Sequence, residues 1–351
     1  MTGPYHKPLP SPAPRPLGAK AKLLEFEGLR GWLAWWVVVG HSLDESGWSA
    51  SFLPTIGKLF MGQMFAVRIF IILSGFVITL LLDRQHRPYR EFIATRAFRI
   101  FPLYYVLLLF GACLLPWLRG FYGDYIAHLG NPSHLQHLYA SWASHAEHWR
   151  AHLAVCFTGL HGAVPQDWLP HAQSAFVSQA WSISLEWQFY LVAPLLWLAL
   201  NNRRGLLLLG VGFYAALGLR HHFTLGAWAS FLPQSLEFFA IGSVSYFAYK
   251  YIRFGPPGSG NYARALLAVI LLVIGCVPFF RSAIFVPWPW YPVINEGLSI
   301  GIWMVVLTLA IALQHAADHR FVRLLAFPLT NRVATFLGRI SYSTYLCHYF
   351  V

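Results

Sequence analysis

The sequence predicts an all-α integral membrane protein, a polytopic bundle of about nine or ten transmembrane helices. Two observations carry that expectation. The chain has 351 residues, of which 57% are hydrophobic and only 11% charged. Soluble domains are nearer half apolar and a quarter charged. Leucine-rich runs of roughly 20 residues recur along its length, enough to cross a hydrocarbon core as helices, whereas a β-barrel shows alternating segments of about ten. The net charge of +12 points the same way, because its Lys and Arg gather in short loops between apolar runs. That is the pattern of basic loops retained in the cytoplasm, so no nucleic-acid partner is expected.

Residues 1–22 read as a disordered, basic and Pro-rich tail, and Lys7, Arg15, Lys20 and Lys22 place it in the cytoplasm. No cleavable signal peptide is apparent. Residues 23–351 form one transmembrane domain. A first span at 29–43 runs outward to an acidic loop with Asp44 and Glu45. A second, at 59–82, returns to a basic loop with Arg84, Arg87, Arg90, Arg96 and Arg99. A third follows at 100–118. Residues 119–175 differ in character: His, Trp and Tyr are frequent, and 151–160 is too short to span. Further spans fit at 177–200, 205–220, 230–251, 263–280, 294–314 and 333–351. A crossing at 151–165 would strand Arg203 and Arg204 outside, so nine spans fit better than ten. The final run stops in mid-pattern at Tyr349, Phe350 and Val351, as in a truncated chain or a helix ending at the far surface.

Polar residues within the apolar runs mark the candidate chemistry, because ionisable groups at membrane depth are costly. Arg30 and His41 are eleven residues apart in LRGWLAWWVVVGH, which brings both to one helical stripe three turns apart. In WSISLEWQFYL, Ser182, Glu186 and Tyr190 follow at i, i+4 and i+8, so hydroxyl, carboxylate and phenol share a face. With Trp181 beside them, Ser182 and Tyr190 are the candidate substrate contacts. Arg96 and Arg99 sit i, i+3 at the start of a helix, a fork suited to phosphates, although anchoring at the cytoplasmic surface requires Arg there anyway. Ser341, Tyr345 and His348 form a weaker fourth set. His145, His148 and His152 contain an i, i+4 pair, but no HExxH order completes it, so no metal is expected. The four cysteines, Cys113, Cys156, Cys276 and Cys347, stand singly without CxxC spacing.

A His and a Glu able to share a proton are the parts of a general-base centre, and a basic patch suits a phosphate-rich donor. The alternative is a proton-coupled transporter or flippase of a glycoconjugate, using Arg30, His41 and Glu186 as a relay.

In its motifs and their order the chain resembles the acyltransferase-3 family of membrane O-acyltransferases, which acylate bacterial surface sugars, peptidoglycan, nodulation factors and macrolides. The resemblance spans about 24–351 and rests on LRGWLAWWVVVGH, FIILSGFVIT, RAFRIFPLYY, WSISLEWQFYLVAP, EFFAIGSVSYF and ISYSTYLCH. It implies catalytic roles for His41, Glu186 and Arg30, and acyl-CoA phosphates held by Arg96 and Arg99. It implies acyl-CoA, with acetyl-CoA the expected ester, as co-substrate, and a carbohydrate or glycolipid as acceptor. The bacterial cytoplasmic membrane is the implied location, with the N-terminus in the cytoplasm. Trp187 stands where the family usually carries a second Glu, which leaves Glu186 as the single carboxylate of that motif.

Overall fold

The computed structural model describes residues 23–45, 62–85, 87–128, 133–200, 204, 205, 207, 211, 230–254, 291–315 and 319–350. The N-terminal tail, Cys276 and the spans expected at 205–220 and 263–280 lie wholly or almost wholly outside those residues. Among the described residues every regular element is helical. We label them α1 (Leu24–Glu45), α2 (Gln63–Arg84), α3 (Tyr89–His128), α4 (Ser133–Glu147), α5 (Trp149–Thr158), α6 (Trp181–Leu200), α7 (Leu236–Phe254), α8 (Tyr291–His315), α9 (Arg320–Thr330) and α10 (Arg332–Cys347). Among the described residues, three stretches, 63–84, 89–125 and 297–314, are long and apolar enough to cross a membrane.

Most expected spans become helices with shifted ends. Asp44 and Glu45 close α1 rather than forming a loop, and Arg90, Arg96 and Arg99 ride on α3 rather than preceding it. α3 continues for 40 residues through Pro102 and Pro116, so it outruns the span expected at 100–118. Each proline removes one backbone donor, but a long helix packed by its neighbours absorbs that loss. α9 was not expected at all. Its 11 residues are too few to span, and they place Phe321, Leu324 and Leu325 on one exposed apolar face. Asn331 starts α10 cleanly, its side chain accepting from the Ala334 N–H at 2.8 Å.

α2 is the central helix, with eleven buried residues on nearly all its sides, and it packs against α1, α6, α7 and α8. Two helix pairs make the most extensive contacts, α1 with α10 and α2 with α7. Both depend on glycine. A Cβ built at Gly242 of α7 would overlap the Ile72 carbonyl of α2, and one at Gly338 of α10 would overlap the Glu27 carbonyl of α1. Small residues let backbones approach where apolar burial gives helices in lipid little reason to associate. Dispersion between rings fills the rest. Phe26, Phe76 and Trp303 meet at centroid distances of 4.9–5.6 Å, and the fully buried Trp303 donates to Ser245 Oγ at 3.0 Å. At the basic end of this core, Lys250 of α7 pairs with Asp83 of α2 at 2.7 Å, and Tyr246 donates to the same carboxylate.

Candidate active site

Helices α1, α2, α3, α6, α7 and α10 line a cleft of about 740 Å³, the open space at its mouth included. α2 supplies an apolar wall, with Val67, Phe70 and Ile71 among its residues. The polar wall is the face of α6 predicted from spacing: Ser182, Glu186 and Tyr190 all line the cleft. The carboxylate of Glu186 accepts hydrogen bonds from the Tyr190 hydroxyl and from Ser74 Oγ at 3.4 Å. Ser74 was missed in the sequence, where it is one hydroxyl within the apolar run of α2.

The basic end of the cleft is built from three helices. Arg30 of α1 and Arg99 of α3 line it, with Glu186 and Glu27 in electrostatic reach of Arg30. The Arg30 Nε is buried and makes no hydrogen bond among the described residues. Arg96 sits behind the wall, its guanidinium 5.9 Å from the ring centroids of both Phe92 and Tyr190. Its Nε and Nη1 are likewise buried without hydrogen-bond partners among the described residues. Three guanidiniums against two carboxylates leave positive charge and unused donors, an arrangement that suits an anion with several oxygens.

At the opposite end, Ser182 Oγ and the Tyr345 hydroxyl are 2.7 Å apart, joining α6 to α10. Both hydroxyls also lie within reach of the Gln179 carbonyl, at 3.2 and 3.3 Å, and the buried Gln179 amide donates to the Leu346 carbonyl at 2.5 Å. Just beyond, the His348 ring stacks on His41, with centroids 5.2 Å apart and planes 22° from parallel. The Tyr345 ring centroid lies 5.7 Å from that of His348.

The structure therefore separates residues that the sequence grouped together. Arg30 joins Glu186, Arg99 and Tyr190 in the cleft, whereas His41 lies outside the cleft lining and beside His348. Eleven residues of helix put about 16 Å between the Arg30 and His41 positions on α1. The hydrogen bonds of the Glu186 carboxylate go to Tyr190 and Ser74 rather than to His41. Trp181 does not line the cleft; it packs, partly buried, against the core. His348 is the residue that the sequence undervalued, because only the folded α10 returns it to α1.

The histidines of the 119–175 segment form a separate cluster. His145 and His152 are buried with ring centroids 5.0 Å apart. Burial holds His145 down to about 3 and His152 to about 4, which keeps both neutral. Among the described residues no group of three or more side chains is placed to hold a metal.

A family model described as an acyltransferase domain, that of the acyltransferase-3 family, matches residues 23–351. No curated protein matches, and neither does any solved structure. The matched range takes in the whole cleft and both histidines beyond it, so that α1, which carries Arg30 and His41, and α10, which closes the far end, fall within a single family domain. The chain belongs to the acyltransferase-3 family and is a membrane acyltransferase, transferring acyl groups other than aminoacyl groups.

Proposed function

We propose that the enzyme moves an acyl group, acetyl in the simplest case, from a cytoplasmic acyl-CoA to a hydroxyl of a carbohydrate or glycoconjugate. One observation carries this reading: unused guanidinium donors at one end of a cleft whose other end adjoins a histidine pair. The CoA phosphates dock on Arg99 and Arg30, with Arg96 adding field from behind the wall. The basic end then faces the cytoplasm of a bacterial inner membrane, as does the N-terminus. An extended phosphopantetheine arm covers a length of the order of the 16 Å or so between Arg30 and His41. The thioester therefore arrives beside Tyr345, Ser182 and the histidines.

His41 takes the proton of the acceptor hydroxyl as its oxygen attacks the thioester carbonyl. A C–O bond forms, the C–S bond breaks, and the proton passes to the departing CoA thiolate. Glu186 balances the arginines and, with Tyr190, orders the donor rather than the histidine. The experiment is transfer of radiolabel from acetyl-CoA to lipid-linked or polysaccharide material in membranes carrying the wild type or His41→Ala. Label from the wild type alone, at equal expression, supports the reading. Equal label from both removes His41 from the mechanism.

A further inference from the structure

The Arg99 end of the cleft carries the charge, and the opposite end is closed by a specific contact. The α2 residues lining it run from Val67 to Ile78, about 16 Å of helix. At the Val67 end the Tyr345 ring faces Phe70, with centroids 6.1 Å apart, and its hydroxyl meets Ser182 across the gap. We propose that this Tyr345–Ser182 bridge is the end wall that sets the size of the transferred acyl group and admits short chains only. The proposal rests on the acyl-CoA reading given above.

Three features make the bridge a wall rather than a passing contact. Tyr345 is buried, 8% exposed, so its ring fills space rather than swinging in solvent. Gln179 holds both sides: its carbonyl is within reach of both hydroxyls, and its amide donates to Leu346, the residue after Tyr345. Finally, the position suits the chemistry. An acyl carbon stopped at Tyr345 lies one side chain from His348, and His348 stacks on His41. Val67, Phe70 and Ile71 supply apolar surface at this end. A longer chain has to displace the Tyr345 ring and break its 2.7 Å bond to Ser182.

The test is a chain-length series, acetyl-, butyryl- and hexanoyl-CoA, with product label read as kcat/KM. The wild type is expected to prefer acetyl over butyryl by about tenfold or more, the scale on which a closed pocket rejects added methylenes. Tyr345→Ala is expected to raise the butyryl-to-acetyl ratio about tenfold. Tyr345→Phe keeps the ring but removes its bond to Ser182, and is expected to relax the preference only part of the way towards that of Tyr345→Ala. A wild type that uses hexanoyl-CoA as well as acetyl-CoA overturns the wall, and so does Tyr345→Ala with an unchanged ratio. If Tyr345→Ala does not accumulate, the wild-type series decides alone. A flat series overturns the wall while sparing the donor assignment; no transfer from any ester overturns the donor assignment and the wall with it.

Discussion

Substituting Gly31 couples packing to chemistry, because it neighbours Arg30 on α1 and faces α10. A Cβ built at Gly31 lies 2.7 Å from the Gly338 nitrogen and 2.8 Å from both the Ala334 carbonyl oxygen and the Leu337 Cβ. Ordinary contact begins at 3.4 Å, so the two helices must part by about 0.6–0.7 Å. Two of these three neighbours are backbone atoms, so no side-chain rotation relieves the overlap. Overpacking of this kind costs about 1–3 kcal/mol, offset by up to about 1 kcal/mol from replacing a helical glycine. Gly31→Ala should therefore lose about 1–2 kcal/mol, and Gly31→Val more. The displacement also carries Arg30 away from the cleft. A misplacement of about 1 Å costs on the order of 100-fold in rate, so a drop of about tenfold is expected in acyl transfer. The assay pairs the melting temperature of detergent-solubilised protein with transfer from acetyl-CoA. Gly120→Ala serves as the reference, since no described residue lies within 4 Å of its built Cβ. That change should hold or raise the melting temperature. If Gly31→Val melts and turns over like the wild type, the close approach of α1 to α10 is refuted.

Three further outcomes follow from the geometry. Glu186→Gln keeps the shape of the cleft but removes the charge that balances the arginines and orders the donor; transfer should fall about 100-fold, and undiminished turnover would exclude a role for the carboxylate. Arg99→Ala should raise the KM for acetyl-CoA about tenfold while sparing kcat, whereas His41→Ala should lower kcat; the same kinetic signature in both would contradict the division between the two ends of the cleft. His145 and His152 are neutral when folded and bind protons more readily once unfolded, so their contribution is intact above about pH 6.5 and lost as pH falls towards 4. Each histidine accounts for up to about 1.4 kcal/mol per pH unit in that window. Melting curves between pH 7 and 4.5 should show this slope, and His152→Phe should flatten it; an unchanged slope in the variant would rule the pair out as its source.

Spacing within one helix was legible from sequence, and contacts between helices were not. Ser182, Glu186 and Tyr190 line the cleft together because a period near 3.6 residues fixes the face they share. The same rule placed Arg30 and His41 on one stripe, but it says nothing of what each stripe residue meets. Arg30 meets a cleft and His41 meets a histidine brought by α10, 307 positions further along. Arg96 and Arg99 show a finer limit. Three residues apart on a helix, they differ by about 60° in direction, enough for one to line the cleft and the other to stack behind its wall. α9 went unseen for another reason. A search for runs of about 20 apolar residues passes over an 11-residue amphipathic helix, although Phe321, Leu324, Leu325 and Pro328 carry its i, i+3, i+4, i+7 signature.

The pairing of α1 with α10 also imposes an order in time. Gly31 and Gly338 are 307 residues apart in the chain, and synthesis at roughly 5–20 residues per second separates their emergence by about 15–60 s. Throughout that interval α1 is in place while the surface it packs against does not yet exist. Arg30, with its guanidinium set among apolar helices, must meanwhile be shielded by lipid headgroups, water or an insertion factor. The two ends of the cleft are therefore completed only when α10 closes against α1. Any lesion that delays α10 exposes α1 to membrane quality control well before it affects catalysis.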